Sequence, residues 1–207
     1  MTTAERDASA DWCRARARVD WTRAGAAHLA EPVPPARDGF TAWCTGPVHR
    51  RDPVRARRLL AAYAAVRSDA VRRPRPPLTF SLLSGWQQQV LGSPGPPPFR
   101  TGDARTKAGR ERRAPAPHTP AVFARCLAEA DDPGVPLPAR AARAYLDVAF
   151  FHPFEDGNAR AALLTLAFVL ARESVVLHKV RPLRSTRYAD DPDGAADLAV
   201  LVAILIR

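Results

Sequence analysis

Lysine is almost missing from this sequence: Lys107 and Lys179 are its only two, and arginine carries the rest of a formal net charge of +10. Neither the aromatic signature of an RNA-binding sheet nor the spacing of a zinc finger accompanies that charge. Alanine, arginine and the 21 prolines are abundant together, as a GC-rich coding sequence produces, so the charge is not read as function. Nucleic acid is therefore not expected as a partner. Cysteine is scarce as well. Cys13, Cys44 and Cys126 are odd in number and far apart, which excludes a disulfide framework and reads as reduced thiols, Cys126 as core. The five histidines do not pair at metal-ligand spacing, which excludes a zinc centre of the usual kind. Long apolar runs are absent too. The longest, Leu198 to Ile206, falls far short of the ~20 residues that span a bilayer. The opening MTTAERDASADW has no basic start and no apolar stretch, so no secretory signal is read there and a cytoplasmic location is expected.

What the chain has is apolar content, 46% over 207 residues, enough for one domain with a substantial core. Its segments read as helices. Ala10 to Leu29 is a candidate helix with Trp12 and Trp21 partly buried, although Arg14, Arg16, Arg18 and Arg23 interrupt any clean stripe. FTAWCTGPVH (40–49) reads as a loop or short strand. Asp52-Pro53 marks a helix start, followed by Leu59, Leu60, Tyr63 and Val66 on one face. RRPRPP (72–77) breaks it. Leu78, Leu82, Trp86 and Val90 recur every four residues and mark a further amphipathic helix ending near Gly92. Thr119-Pro120 and Pro138 open two more, and Leu198, Leu201, Val202 and Leu205 define a last buried one. Between Gly92 and Pro120, composition alone favours an irregular loop.

The chemistry concentrates in HPFEDGNAR, His152 to Arg160, at the junction of two helical runs. A loop feeding a helix N-terminus presents unpaired N–H groups and a partial positive charge, which suit a phosphate. Arg160 in the first turn adds a guanidinium for the same phosphate, and Asp156 is a hard oxygen ligand of the kind Mg2+ takes beside nucleotide phosphates. His152 is a candidate general base. Taken singly, each residue has a structural alternative: Asp156 as a cap, Gly157 as a turn, Arg160 as a solvated cation.

In its order of residues this stretch resembles the signature of the Fic/Doc family, His-x-Phe-x-Asp/Glu-Gly-Asn-Gly/Lys-Arg-x-x-Arg. The resemblance implies His152 as the base that deprotonates a target hydroxyl, Phe154 as a core anchor and Asp156 as the Mg2+ ligand. It makes Gly157 and Asn158 the anion hole and Arg160 a phosphate contact, with Ala159 between them in the nucleotide-binding stretch. Two positions depart: Ala159 stands where the family has Gly or Lys, and Leu163 where most members have a second Arg. The implied fold is all-α, a bundle of six to eight helices with a small β-hairpin flap. Residues 78–207 would form the family core and residues 1–77 a helical extension packed on it, one compact unit overall.

Upstream of the motif, Pro94 to Arg100 occupies the place of the family's Pro-Gly-x-x-Arg-like element. Thr101, Gly102, Asp103, Ala104 and Arg105 then begin the flap that would register a target segment by strand addition. Its basic residues, Arg105, Lys107, Arg110, Arg112 and Arg113, suit an acidic target. The implied reaction is transfer of AMP or another nucleotide from a nucleoside triphosphate, with Mg2+ and ATP as cofactor and co-substrate, to a Ser, Thr or Tyr hydroxyl of a protein target. Two rivals stand beside it. One is a Doc-like toxin kinase that transfers phosphate and is neutralised by an antitoxin; the other is an inactive binding module on the same fold.

Overall fold

A computed structural model of the chain describes residues 7–26, 38–106, 111–184 and 191–206. Helix α1 (Ala8–Ala17) begins where the Asp7 carboxylate accepts the Ser9 N–H at 3.0 Å. It stops well short of Leu29, against the expectation of one helix. The Asp20 carboxylate takes both the N–H and the hydroxyl of Thr22, at 3.0 and 2.6 Å, and this local turn competes with helical pairing. A short α2 (Arg23–Ala26) follows, and Leu29 lies outside the described residues.

The stretch 40–49 is a second correction: it is helical. Asp38 caps α3 (Gly39–Trp43) through the N–H groups of Phe40 and Thr41, at 2.8 and 3.2 Å. Gly39 lies so close to the His178 backbone that no side chain fits there. Pro47, which has no N–H to give, falls in a wider π-helical turn, Cys44–Val48, leading into α4 (His49–Arg51).

Asp52 and Pro53 open α5 (Pro53–Ala70) as expected, with Leu59, Tyr63 and Val66 buried and Leu60 at the margin. Helix α6 (Phe80–Leu91) ends at Gly92 in the left-handed region, φ 66°. Its buried stripe is Leu83, Trp86, Gln87 and Val90, so the face is rotated from the expected one and Leu82 is only partly covered. Two short strands follow, β1 (Ala104–Thr106) and β2 (Glu111–Arg113), antiparallel with Ala104 opposite Arg113 and Thr106 opposite Glu111. Residues 107–110 between them lie outside the described residues.

The remaining helices are α7 (Thr119–Ala128), α8 (Leu137–Phe151), α9 (Asn158–Ala171) and α10 (Pro192–Leu205). α8 packs on α9 and α10, while α9 also meets α5 and α6. Every residue from Ala161 to Leu170 is buried, which explains why α9 shows no polar face. One core cluster runs from Trp12 to Ile206.

Helix α1 docks on α8 through a buried charge. Trp12 Nε1 and Arg16 Nε both donate to Asp147 Oδ1 at 2.9 Å, and Arg16 Nη2 reaches Oδ2 at 3.1 Å. Trp12 also stacks on Phe150, with ring centroids 4.7 Å apart. Burial pushes the Asp147 carboxyl up from its ordinary value, and Arg16 and Trp12 oppose that shift. Among the described residues, no helix is long and apolar enough to cross a membrane.

Candidate functional site

Helix α8 ends at His152, which takes a left-handed conformation, φ 46° and ψ 61°, and donates its N–H to Val148 O at 3.1 Å. That position usually falls to Gly or Asn; a histidine there costs on the order of 1 kcal/mol and persists only if its surroundings hold it. They do, through three side chains.

Asn158 is the first. Its Oδ1 accepts the Phe154 N–H at 2.9 Å and its Nδ2 donates to Phe154 O at 2.7 Å, which folds the loop onto the start of α9. Gln87, fully buried on α6, donates Nε2 to Asp156 O at 2.6 Å. Arg100, 5% exposed, is the third. Its N–H bonds Pro153 O at 2.9 Å, and its guanidinium donates to Phe151 O at 3.2 Å, to His152 O at 2.5 Å and to Gly102 O. Phe154 pins the loop from within, 1% exposed, with its ring 5.4 Å from that of Phe80.

On this scaffold the expected residues fall together. Asp156 points outward, its side chain 78% exposed, and its Oδ2 lies 3.0 Å from Arg160 Nη2. Gly157 has φ 79°, and a Cβ there would run into Gln87 Nε2. Glycine is thus required twice, by conformation and by space. Arg160 and Ala161 both direct their N–H groups to Gly157 O, at 2.9 and 3.0 Å, so the N–H groups of Asn158 and Ala159 precede the first helical bonds. Ala159 is exposed, as is Glu155. Leu163 is 3% exposed, a core residue that also edges a surface cleft.

The segment before β1 starts at the motif loop: a Cβ on Gly102 would stand 3.7 Å from Glu155 Oε1. Thr101, Gly102 and Asp103 are exposed and Ala104 is half-buried; the Arg105 side chain, with Lys107 and Arg110, lies outside the described residues. Sequence reasoning missed Gln87. Its signal was a glutamine on the buried phase of α6, four residues after Leu83 and three before Val90. Arg100 was visible only as the end of the Pro94–Arg100 element, without its role as a clamp.

No group of three or more His, Cys, Asp or Glu side chains is gathered for a metal among the described residues. An outward carboxylate beside a helix N-terminus instead suits a Mg2+ ion that arrives with its phosphates and keeps several waters. Two of the thiols do not compete as nucleophiles: burial pushes Cys44 up to about 12 and holds Cys126 above its ordinary value as well.

No curated protein matches the chain. A Fic domain-containing signaling protein from Bacteroides thetaiotaomicron superposes with a TM-score of 0.57 at 17% identity, covering 96% of this chain and 91% of that one. The IbpAFic2 structure, in which that protein is covalently tethered to Cdc42, gives a TM-score of 0.59 at 14% identity. It covers 98% of this chain and 65% of that one. Residues 77–170, from the residue before Leu78 into the last turn of α9, match the Fic/DOC family model.

Proposed function

We propose that this chain transfers AMP from ATP to a Ser, Thr or Tyr hydroxyl of a protein target. The observation that carries the reading is the Arg160–Asp156 pair, a cation and a carboxylate 3.0 Å apart at the open start of α9. Phosphate and metal need these two charges side by side, next to N–H groups that precede the first helical bonds.

In this reading His152 removes the proton of the target hydroxyl, and the oxygen attacks the α-phosphorus. The bond to the bridging oxygen breaks and pyrophosphate leaves, so the target gains AMP and the histidine holds the proton. The N–H groups of Asn158 and Ala159 receive the charge on the phosphate oxygens, and Arg160 turns from Asp156 to a phosphate oxygen. Mg2+, held by Asp156 together with the phosphates, would supply charge neutralisation. The Arg100 clamp fixes the carbonyls on either side of His152 and so keeps the base at a set position.

The β1–β2 pair serves the target. Its approach, Thr101 to Ala104, leaves from the Arg100 clamp and passes Glu155, so a target strand added there would lie next to the motif loop. One observation favours a second reading, phosphate transfer by a Doc-like enzyme: Leu163 supplies no second arginine from α9. Intact-mass analysis of proteins from a lysate incubated with the chain, Mg2+ and ATP tests the two. The mass of an added AMP is expected; an added phosphate alone would establish the second reading instead.

A further inference from the structure

The cleft edged by Leu163 has a volume of about 490 Å3, and its lining brings residues of the N-terminal segment to the start of α9. Ala159, Arg160 and Leu163 form one wall. The lining also includes Arg51 at the end of α4 and Arg55 in the first turn of α5, with Asp52 between them in the chain. Three guanidinium groups thus share a concave surface with a single lining carboxylate. That carboxylate is occupied: Asp52 Oδ1 caps α5 by accepting the Arg55 N–H at 2.9 Å, and Oδ2 lies 3.4 Å from Arg55 Nε. Both Arg51 and Arg55 are exposed, and the Arg55–Asp52 pair is a solvent-facing one that opens at little cost. Like charges gathered around a cavity of ligand size raise the local potential and favour an anion bearing several charges.

We propose that Arg51 and Arg55 bind the outer phosphates of the nucleoside triphosphate, and so replace the arginine that Leu163 does not provide. The proposal rests on the nucleotide-transfer reading for what the ligand is, but the site itself is read from the cleft. Arg160 borders both the motif loop and the cleft, which makes the two parts one continuous anion path. An apolar Leu163 suits such a cleft, because α4 and α5 bring Arg51 and Arg55 to its lining.

The test is calorimetric binding of Mg-ATP, AMP and inorganic tripolyphosphate to the full chain and to Arg51→Gln/Arg55→Gln. Both side chains are exposed, so the double variant should melt within ~2 °C of wild type. Two charge-assisted contacts, each worth roughly 10- to 100-fold, predict a roughly 10^2- to 10^4-fold loss for ATP and tripolyphosphate, with AMP unchanged. An Arg51→Lys/Arg55→Lys chain should recover most of the loss. Equal ATP affinity in the Gln variant overturns the proposal, as does an equal loss for AMP or a wild type that ignores tripolyphosphate. The two readings part cleanly. Arginine-dependent tripolyphosphate binding without any nucleotide transfer keeps the site and removes the reaction. AMP transfer with unaltered ATP affinity in the Gln variant does the reverse.

Discussion

Arg160 Nη2 and Asp156 Oδ2 stand 3.0 Å apart, an ion pair that ties the first turn of α9 to the loop before it. The phosphate-binding cation and the metal-binding carboxylate of the proposed reaction neutralise one another until nucleotide and Mg2+ arrive together. An exposed i,i+4 pair contributes only ~0.3–0.5 kcal/mol, so it opens readily. Asp156→Asn should therefore leave the melting temperature nearly unchanged and free Arg160. Calorimetry should find ATP binding retained and its enhancement by Mg2+ gone. Retained enhancement in Asp156→Asn, with loss in Glu155→Gln, would move the ligand role to Glu155.

Gly157→Ala should destabilise the fold by roughly 2–4 kcal/mol, because the methyl group meets a left-handed backbone and Gln87 at once. Removing the obstacle with Gln87→Ala separates the two causes. The double variant should regain the steric part and keep the conformational part, about 1 kcal/mol. Urea unfolding of the single and double variants reads the coupling directly.

Arg100→Lys should act on kcat more than on KM. A lysine keeps one charge but cannot hold the carbonyls of Phe151, His152 and Gly102 with one planar group. The loss of positioning is expected to lower kcat by ~10- to 100-fold with substrate binding little altered. A proportional rise in KM would show that the arginine meets substrate instead of setting the base.

Leu163→Arg should not rescue ATP binding. The leucine is 3% exposed, and its place edges a cleft that already holds Arg51, Arg55 and Arg160. A further guanidinium there is either buried without a partner or repelled, at a cost of roughly 2–4 kcal/mol. Thermal melts with and without Mg-ATP check this; a variant as stable as wild type that binds ATP more tightly would contradict it.

The motif and the helices flanking it were legible because their signals are local. Asp52-Pro53 starts α5, Gly92 ends α6, and Asp-Gly-Asn precedes an apolar helix. Less was legible where distant residues decide. Ala10 to Leu29 has helix-forming composition, yet the side-chain turn at Asp20–Thr22 separates α1 from α2 among the described residues. FTAWCTGPVH contains Gly and Pro, yet Asp38 and the close His178 backbone fix it as helix. Arg16 read as an interruption of a stripe, whereas its partner Asp147 lies far along the chain and makes it the docking residue of α1. Gln87, Arg100 and the arginines of the cleft are tertiary in the same sense: their identity is local and their role is not. Leu163 shows the converse. It stands where most family members have a second Arg, and its burial places it in the core with one edge on the cleft.

The central claim is that His152 drives transfer of the α-phosphate with its nucleoside. Incubating a lysate with the chain, Mg2+ and ATP labelled either at the α- or at the γ-phosphate measures it most directly, with His152→Ala beside the wild type. Protein should take up the α-label and not the γ-label, and the variant should lose ~10^2- to 10^4-fold of that uptake while melting close to wild type. Uptake of the γ-label alone, or α-label uptake that persists at wild-type rate in His152→Ala, would contradict the account.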